Sequence, residues 1–175
     1  HTKSGAVASA ADRLRMVELA CRRRTGFEAS AIEVEAREKS YSILTLRKLR
    51  VLAPEARLFF ILGVDAFLDI GTWREYHRVL EECYFIVTGR PGFDLGRARD
   101  VLSGALRDAV GPLPTGGGAA GPLPPPTRVF LLPIHALEVS STMVRARASR
   151  GLSIDGLVPK PVAAYIREHK LYRGR

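Results

Sequence analysis

The spacing of apolar and polar positions along the chain changes period several times, and each change marks an element. Ser9-Ala-Ala-Asp12 has the spacing of a helix-opening capping box, and Leu14, Val17 and Cys21 then recur at helical intervals until Thr25-Gly26. A helix with one buried stripe is predicted there. From Phe27 to Glu35 the period falls to two, with Ile32, Glu33, Val34 and Glu35 alternating as in a half-exposed strand. Ile43, Leu46, Leu49 and Leu52 restore a helical spacing, which ends just before Pro54. Arg57-Leu-Phe-Phe-Ile-Leu-Gly-Val64 is a continuous apolar run too short for most helices and is read as a central parallel strand. Thr72-Trp-Arg-Glu75 opens a helix through Leu80, and Cys83-Tyr-Phe-Ile-Val-Thr88 is a second buried strand that stops at Gly89-Arg-Pro-Gly92.

Leu95 to Val110 is expected to be helical, whereas Gly111 to Pro126 is nearly all Gly, Pro, Ala and Leu and is expected to be a flexible loop. Arg128 to Pro133 is a last strand. A helix from about Ser141 to Arg150 is stopped by Gly151, and Pro161 sits at the first position of a closing helix. Strands alternating with helices predict an α/β fold, a parallel sheet covered on both faces by helices. In such sheets ligands bind beyond the carboxyl ends of the strands, so residues that follow each strand are the first candidates for a site.

Composition narrows the class without naming a chemistry. With 175 residues, 46% of them hydrophobic, the chain is expected to form one domain spanning residues 1–175. No run of about 18 apolar residues occurs and the N-terminus lacks a secretory pattern, so a cytoplasmic protein with no membrane partner is expected. Cys21 and Cys83 lie in apolar stretches without metal or disulfide spacing and are read as core thiols. The net charge of +9 is a weak sign of nucleic-acid binding, because 22 of 27 basic residues are arginine, as GC-rich coding produces. Arg22, Arg23 and Arg24 end a helix where cations suit the dipole, and no aromatics interleave with them; no nucleic-acid partner is expected.

Four places follow the strand-end rule. Gly63 would let a ligand approach the backbone, and Asp65 either accepts hydrogen bonds from a sugar or amide or simply caps a short helix. Trp73, the only tryptophan, either stacks on a planar heterocycle or belongs to the core. Ser140, Ser141 and Thr142 put three hydroxyls at a helix N-terminus with Arg145 one turn further in, a pattern that suits phosphate better than an ordinary cap requires. Arg90 follows a strand and brings a guanidinium near the same edge. Neither a Walker A sequence nor G-x-G-x-x-G occurs, and His77, His135 and His169 show no metal spacing, so no protein-held metal is expected.

Taken together, Ala10 to Ala20, Ser40-Tyr41-Ser42, Phe60 to Phe67, Trp73, Arg90-Pro-Gly-Phe-Asp94, Val139-Ser-Ser-Thr142 with Arg145, Leu157-Val-Pro159 and Tyr165 to His169 resemble, in order and spacing, bacterial nicotinate mononucleotide adenylyltransferase. The resemblance implies a Rossmann-like nucleotidyltransferase fold. The activity it implies joins the AMP of ATP to nicotinate mononucleotide, releasing pyrophosphate in NAD biosynthesis with Mg2+ accompanying ATP. It also implies that Gly63, Asp65, Arg90, Ser140, Ser141, Thr142 and Arg145 contact ATP, while Ser40, Tyr41, Ser42 and Trp73 hold the mononucleotide.

Three departures from the family pattern stand out. Ser42 replaces the usual Thr and Leu44 the usual Asp. The family's opening strand and its H-x-G-H turn do not occur in these 175 residues, and His1-Thr2-Lys3 resembles the loop that follows that unit. The catalytic histidines are therefore expected in a part of the gene product ahead of His1, and the 175 residues alone are expected to turn over on the order of 100-fold or more slowly, the loss caused by one missing preorganised donor. Another small-molecule adenylyltransferase is the alternative enzyme, against which Trp73 and Ser40-Tyr41 argue; a non-catalytic nucleotide-binding module is the alternative outside enzymes.

Overall fold

The computed structural model describes residues 8–36, 39–112, 128–134 and 137–173. In chain order the helices and strands are α1 (Ala10–Cys21), α2 (Ser42–Leu52), β1 (Phe59–Gly63), α3 (Val64–Leu68), α4 (Tyr76–Glu82), β2 (Tyr84–Thr88), α5 (Ala105–Asp108), β3 (Val110–Pro112), β4 (Val129–Leu132), α6 (Ser141–Ser149) and α7 (Lys160–Glu168). The Cα positions fall into two compact units, one of Glu38–Leu137 and one combining His1–Arg37 with Glu138–Arg175.

The Glu38–Leu137 unit is built on a sheet of order β1-β2-β4-β3 in which every pairing is parallel, as the alternating elements predict. Its core is aromatic and aliphatic. Phe67 and Phe85 are fully buried and meet edge to face at 5.7 Å, Phe60 stacks on Phe85, and Ile43 and Leu46 of α2 join them with Ile70, Val79 and Leu80. Truncating one such phenylalanine costs about 3–5 kcal/mol, so these contacts decide whether the sheet forms.

Several expectations are corrected. Among the described residues β1 pairs on one side only, with β2, and Ile61 is 66% exposed. Phe27 to Glu35 is not a strand: 27–31 has no regular structure and Ile32–Val34 turns, with Ser30 Oγ accepting from Ile32 N and Glu35 N donating to Ala31 O, where no strand lies beside it among the described residues. Leu95 to Val110 is not one helix: a 3-10 helix covers Leu95–Arg99, Gly104 at φ +56° breaks the path before α5, and Val110 already belongs to β3. Gly111 and Pro112 pair with β4 instead of starting the loop, and residues 113–126 lie outside the described residues, as does His135.

In the other unit Ser9 and Asp12 form the predicted capping box, and Tyr165 Oη of α7 donates to Asp12 Oδ1 at 2.9 Å, tying the first helix to the last. These bonds, with Ser9's the larger effect, hold the Asp12 carboxyl below its ordinary range. The apolar side of α1 is Met16, Leu19 and Ala20, packed with Val144, Ala148, Ile154, Val162 and Ile166; Val17, expected to be buried, is 50% exposed. Cys21 is likewise only half-buried. Cys83 is the core thiol that was expected, and burial pushes it up to about 12. Among the described residues no helix is long and apolar enough to cross a membrane.

Arg50 closes α2 onto its surroundings. Its guanidinium donates to the carbonyls of Ala56 at 2.6 Å, Glu82 at 3.0 Å and Pro54 at 3.3 Å, joining the ends of α2 and α4 to the approach of β1. Arg50→Met keeps the apolar stem and removes these bonds, so it is expected to lower the free energy of unfolding by about 2 kcal/mol in urea denaturation. A loss under about 0.5 kcal/mol, the scale of an idle surface residue, would contradict the clamp.

Candidate functional site

The register of β1 on β2 aligns Gly63 with Thr88 at the carboxyl ends of the two strands. Two residues beyond each partner stand Asp65 and Arg90, so parallel pairing alone delivers both charged side chains to one edge. Arg90 Nε lies 3.1 Å from Asp65 Oδ1. The N–H does not point along that line, and Oδ1, although shielded from water, accepts no well-aligned hydrogen bond. Charge attraction therefore holds the pair while the oxygen keeps acceptor capacity.

Gly63 is a glycine for reasons of space. Its backbone is ordinary, φ −74° and ψ 154°, but a β-carbon there would collide with both Arg90 Nε and Asp65 Oδ1. The sequence suggested that Gly63 clears room for a ligand. In the structure the Arg90–Asp65 pair lies where that β-carbon would be. Asp65 lies in the first turn of α3, where a carboxylate suits the dipole, but it makes no side-chain cap bond. Thr88 Oγ1 donates to Leu62 O at 3.2 Å and locks the two strand ends together.

Trp73 is not inside a helix as expected. It caps a 3-10 helix over Ile70–Thr72, with its amide bonded to Ile70 O, and α4 starts only at Tyr76. Glu75 is the reason: its left-handed backbone, φ 52° and ψ 40°, interrupts the path. The indole is half-buried and meets Phe60 edge to face at 5.6 Å, packed against the core without belonging wholly to it.

Tyr41 is the N-cap residue of α2, flanked by exposed Ser40 and by Ser42 in the first turn. Cations surround its ring, with Arg74 Cζ 4.8 Å and Lys39 Nζ 5.5 Å from the centroid. Leu44, which replaces the family's Asp, packs against the core of the unit. Sequence reading missed Arg74, Glu75 and Arg47, which meet around this ring and its helix. Arg47 NH2 bonds Glu75 Oε2 at 2.9 Å across 28 positions of chain, a separation that no local pattern encodes.

The hydroxyl cluster lies in the other unit. Ser140 caps α6 in the ordinary way, its Oγ accepting from Met143 N at 3.1 Å. Ser141 and Thr142 are exposed at the helix start, where no intrahelical carbonyl reaches their amides. Arg145 NH2 donates to Thr142 Oγ1 at 3.1 Å, which holds its charge at the same end of the helix. Such an end attracts anions.

Comparison with known proteins gives a consistent picture. The family described as cytidylyltransferase-like matches residues 1–147. A protein of Desulfatibacillum aliphaticivorans named "Probable nicotinate-nucleotide adenylyltransferase" is 38% identical over 98% of this chain and 80% of its own length. One of the same name from Pelobacter propionicus is 40% identical over 91% of this chain and 73% of its own. Among solved structures, the nicotinic acid mononucleotide adenylyltransferase of Plasmodium falciparum, complexed with APC, matches with a TM-score of 0.67, covering 95% of this chain and 77% of that one at 18% identity. At that identity the likeness is one of fold.

The geometry at Gly63 separates position from stability. An ion pair whose side chains are 50% and 37% exposed contributes at most about 1 kcal/mol. Gly63→Ala should therefore keep the unfolding free energy within about 1 kcal/mol, while nitrogen-15 relaxation of Arg90 Nε reports a side chain released from its place. An Arg90 side chain as ordered as in the parent would contradict the arrangement.

Proposed function

This chain belongs to the cytidylyltransferase-like family, and from that premise we infer that it transfers AMP from ATP to nicotinate mononucleotide, yielding nicotinate adenine dinucleotide and pyrophosphate in NAD biosynthesis. The observation that carries the reading is 38% identity sustained across 98% of the chain with a relative bearing that name. In the reaction a phosphate oxygen of the mononucleotide attacks the α-phosphorus of ATP. One P–O bond forms there as the bond to pyrophosphate breaks. No covalent enzyme intermediate is needed, so the residues act by positioning the two phosphates and by offsetting the charge that develops.

The following roles are our assignment. Gly63, Asp65 and Arg90 contact ATP at the strand ends, with Asp65 Oδ1 accepting from the nucleotide and Arg90 facing phosphate charge. Ser140, Ser141, Thr142 and Arg145 bind ATP phosphates through the amides at the start of α6 and one guanidinium. Trp73 and Tyr41 supply ring surfaces for the pyridine, with Ser40 and Ser42 beside them for its carboxylate. Mg2+ enters with ATP as part of the substrate.

Pyrophosphate release by the protein expressed from its gene, with nicotinate and nicotinamide mononucleotide compared, tests the activity; transfer to neither would overturn it. The two groups of residues should separate kinetically. Trp73→Ala is expected to raise KM for the mononucleotide roughly tenfold with little change in kcat, the effect of losing a stacking contact worth about 1.4 kcal/mol. Arg145→Ala should raise KM for ATP instead. Equal effects on both substrates in both variants would contradict the assignment.

A further inference from the structure

We propose that Glu75 is a positioning residue for mononucleotide binding: it holds the segment carrying Trp73 against the helix that begins at Tyr41, and so sets the relation between the two ring-binding side chains. The inference rests on the assignment of Trp73 and Tyr41 to the pyridine ring.

Three observations at Glu75 point the same way. First, its backbone is left-handed, φ 52° and ψ 40°, a conformation that residues with a β-carbon adopt rarely and that costs stability. Second, Glu75 is the N-cap residue of α4, yet its side chain makes no cap bond. Its carboxylate instead accepts from Arg47 and Arg78.

Third, the carboxylate goes to cations that bracket the candidate ring site. Oε2 accepts from Arg47 of α2 at 2.9 Å and from Arg78 of α4 at 3.3 Å, and Arg74 Nε lies 3.7 Å from Oε1. Arg74 in turn lays its guanidinium over the Tyr41 ring at 4.8 Å. The stretch from Trp73 to Glu75 is thus fastened to α2 at two points, Arg47 to Glu75 and Tyr41 to Arg74. The Glu75 side chain is 30% exposed, so the bridge is partly shielded from water. The Arg47 hydrogen bond holds its carboxyl below the ordinary range even though burial opposes this, so the bridge is ionised at neutral pH. A left-handed backbone at a residue with a β-carbon costs stability, and such sites gather where function sets the geometry.

A simple staple between α2 and α4 would also use Arg47 and Glu75, and kinetics separate the two roles. The variants are Glu75→Gln, Glu75→Gly, Arg47→Met and the double variant Arg47→Met with Glu75→Gln, assayed in the protein expressed from its gene with Trp73→Ala as reference. The expected result for Glu75→Gln is a KM for the mononucleotide raised on the order of tenfold or more, as displacement of a positioning group produces, with KM for ATP unchanged. Glu75→Gly accepts the left-handed backbone without strain and should melt no lower than Glu75→Gln, yet share its KM defect, because the carboxylate is what it lacks. The double variant should be no worse than the poorer single, since both remove one bridge.

An unchanged mononucleotide KM in Glu75→Gln beside a raised one in Trp73→Ala overturns this inference alone. So does a loss shared by both substrates that follows the fall in melting temperature. An unchanged KM in Trp73→Ala overturns the ring-binding assignment, and the inference with it.

Discussion

The ion pair between Asp65 and Arg90, lying where the β-carbon of residue 63 would otherwise be, is the constraint from which the strand-end geometry follows. It requires parallel pairing of β1 with β2, because only the alignment of Gly63 with Thr88 brings residues 65 and 90 to one edge. It requires glycine at 63, because any larger residue displaces both side chains. It also accounts for a carboxylate oxygen that is shielded from water and still has acceptor capacity. A pair this exposed contributes too little to explain its presence by stability, about 1 kcal/mol at most, so its value lies in where it holds the two charges.

Around that edge, burial and polar ties divide the work. Phe67, Phe85 and the aliphatic residues of α2 and α4 bury the surface that makes the sheet, while Arg50, Thr88 and the Glu75 bridge tie down the end of α2, the strand ends and the turn before α4. The other unit has its own core beneath α6, and the capping bond from Ser140 leaves the next two residues at an open helix start with Arg145 beside them. In both places the side chains available to a ligand stand on backbone whose own hydrogen bonds are already arranged.

Features that depend on local rules were legible in the sequence. The Ser9-Asp12 capping box, the apolar runs of β1, β2 and β4 and the Ser140 cap behave as their residues dictate, and the closing helix starts at Lys160, one residue before Pro161. The candidate residues after Gly63, Thr88 and Val139 followed from the rule that ligands gather at strand ends and helix starts. What could not be read depends on partners distant in sequence or on a single backbone angle. Ile32 to Glu35 has a strand pattern but curls where no strand lies beside it. Gly104 breaks a helix that hydrophobic spacing alone would carry through, and the left-handed turn at Glu75 moves Trp73 out of a helix by one residue's conformation. The link from Arg47 to Glu75 spans 28 positions and leaves no periodic trace.

We propose that Asp65 and Arg90 act on nucleotide as one unit whose geometry Gly63 permits. A double-mutant cycle tests it most directly, with calorimetric affinity for ATP measured for Asp65→Asn, Arg90→Met and the two combined. Each single variant is expected to bind ATP more weakly, and the combined variant no more weakly than the poorer single, because either change dismantles the same arrangement. Losses that add in full would show two independent contacts and contradict the claim.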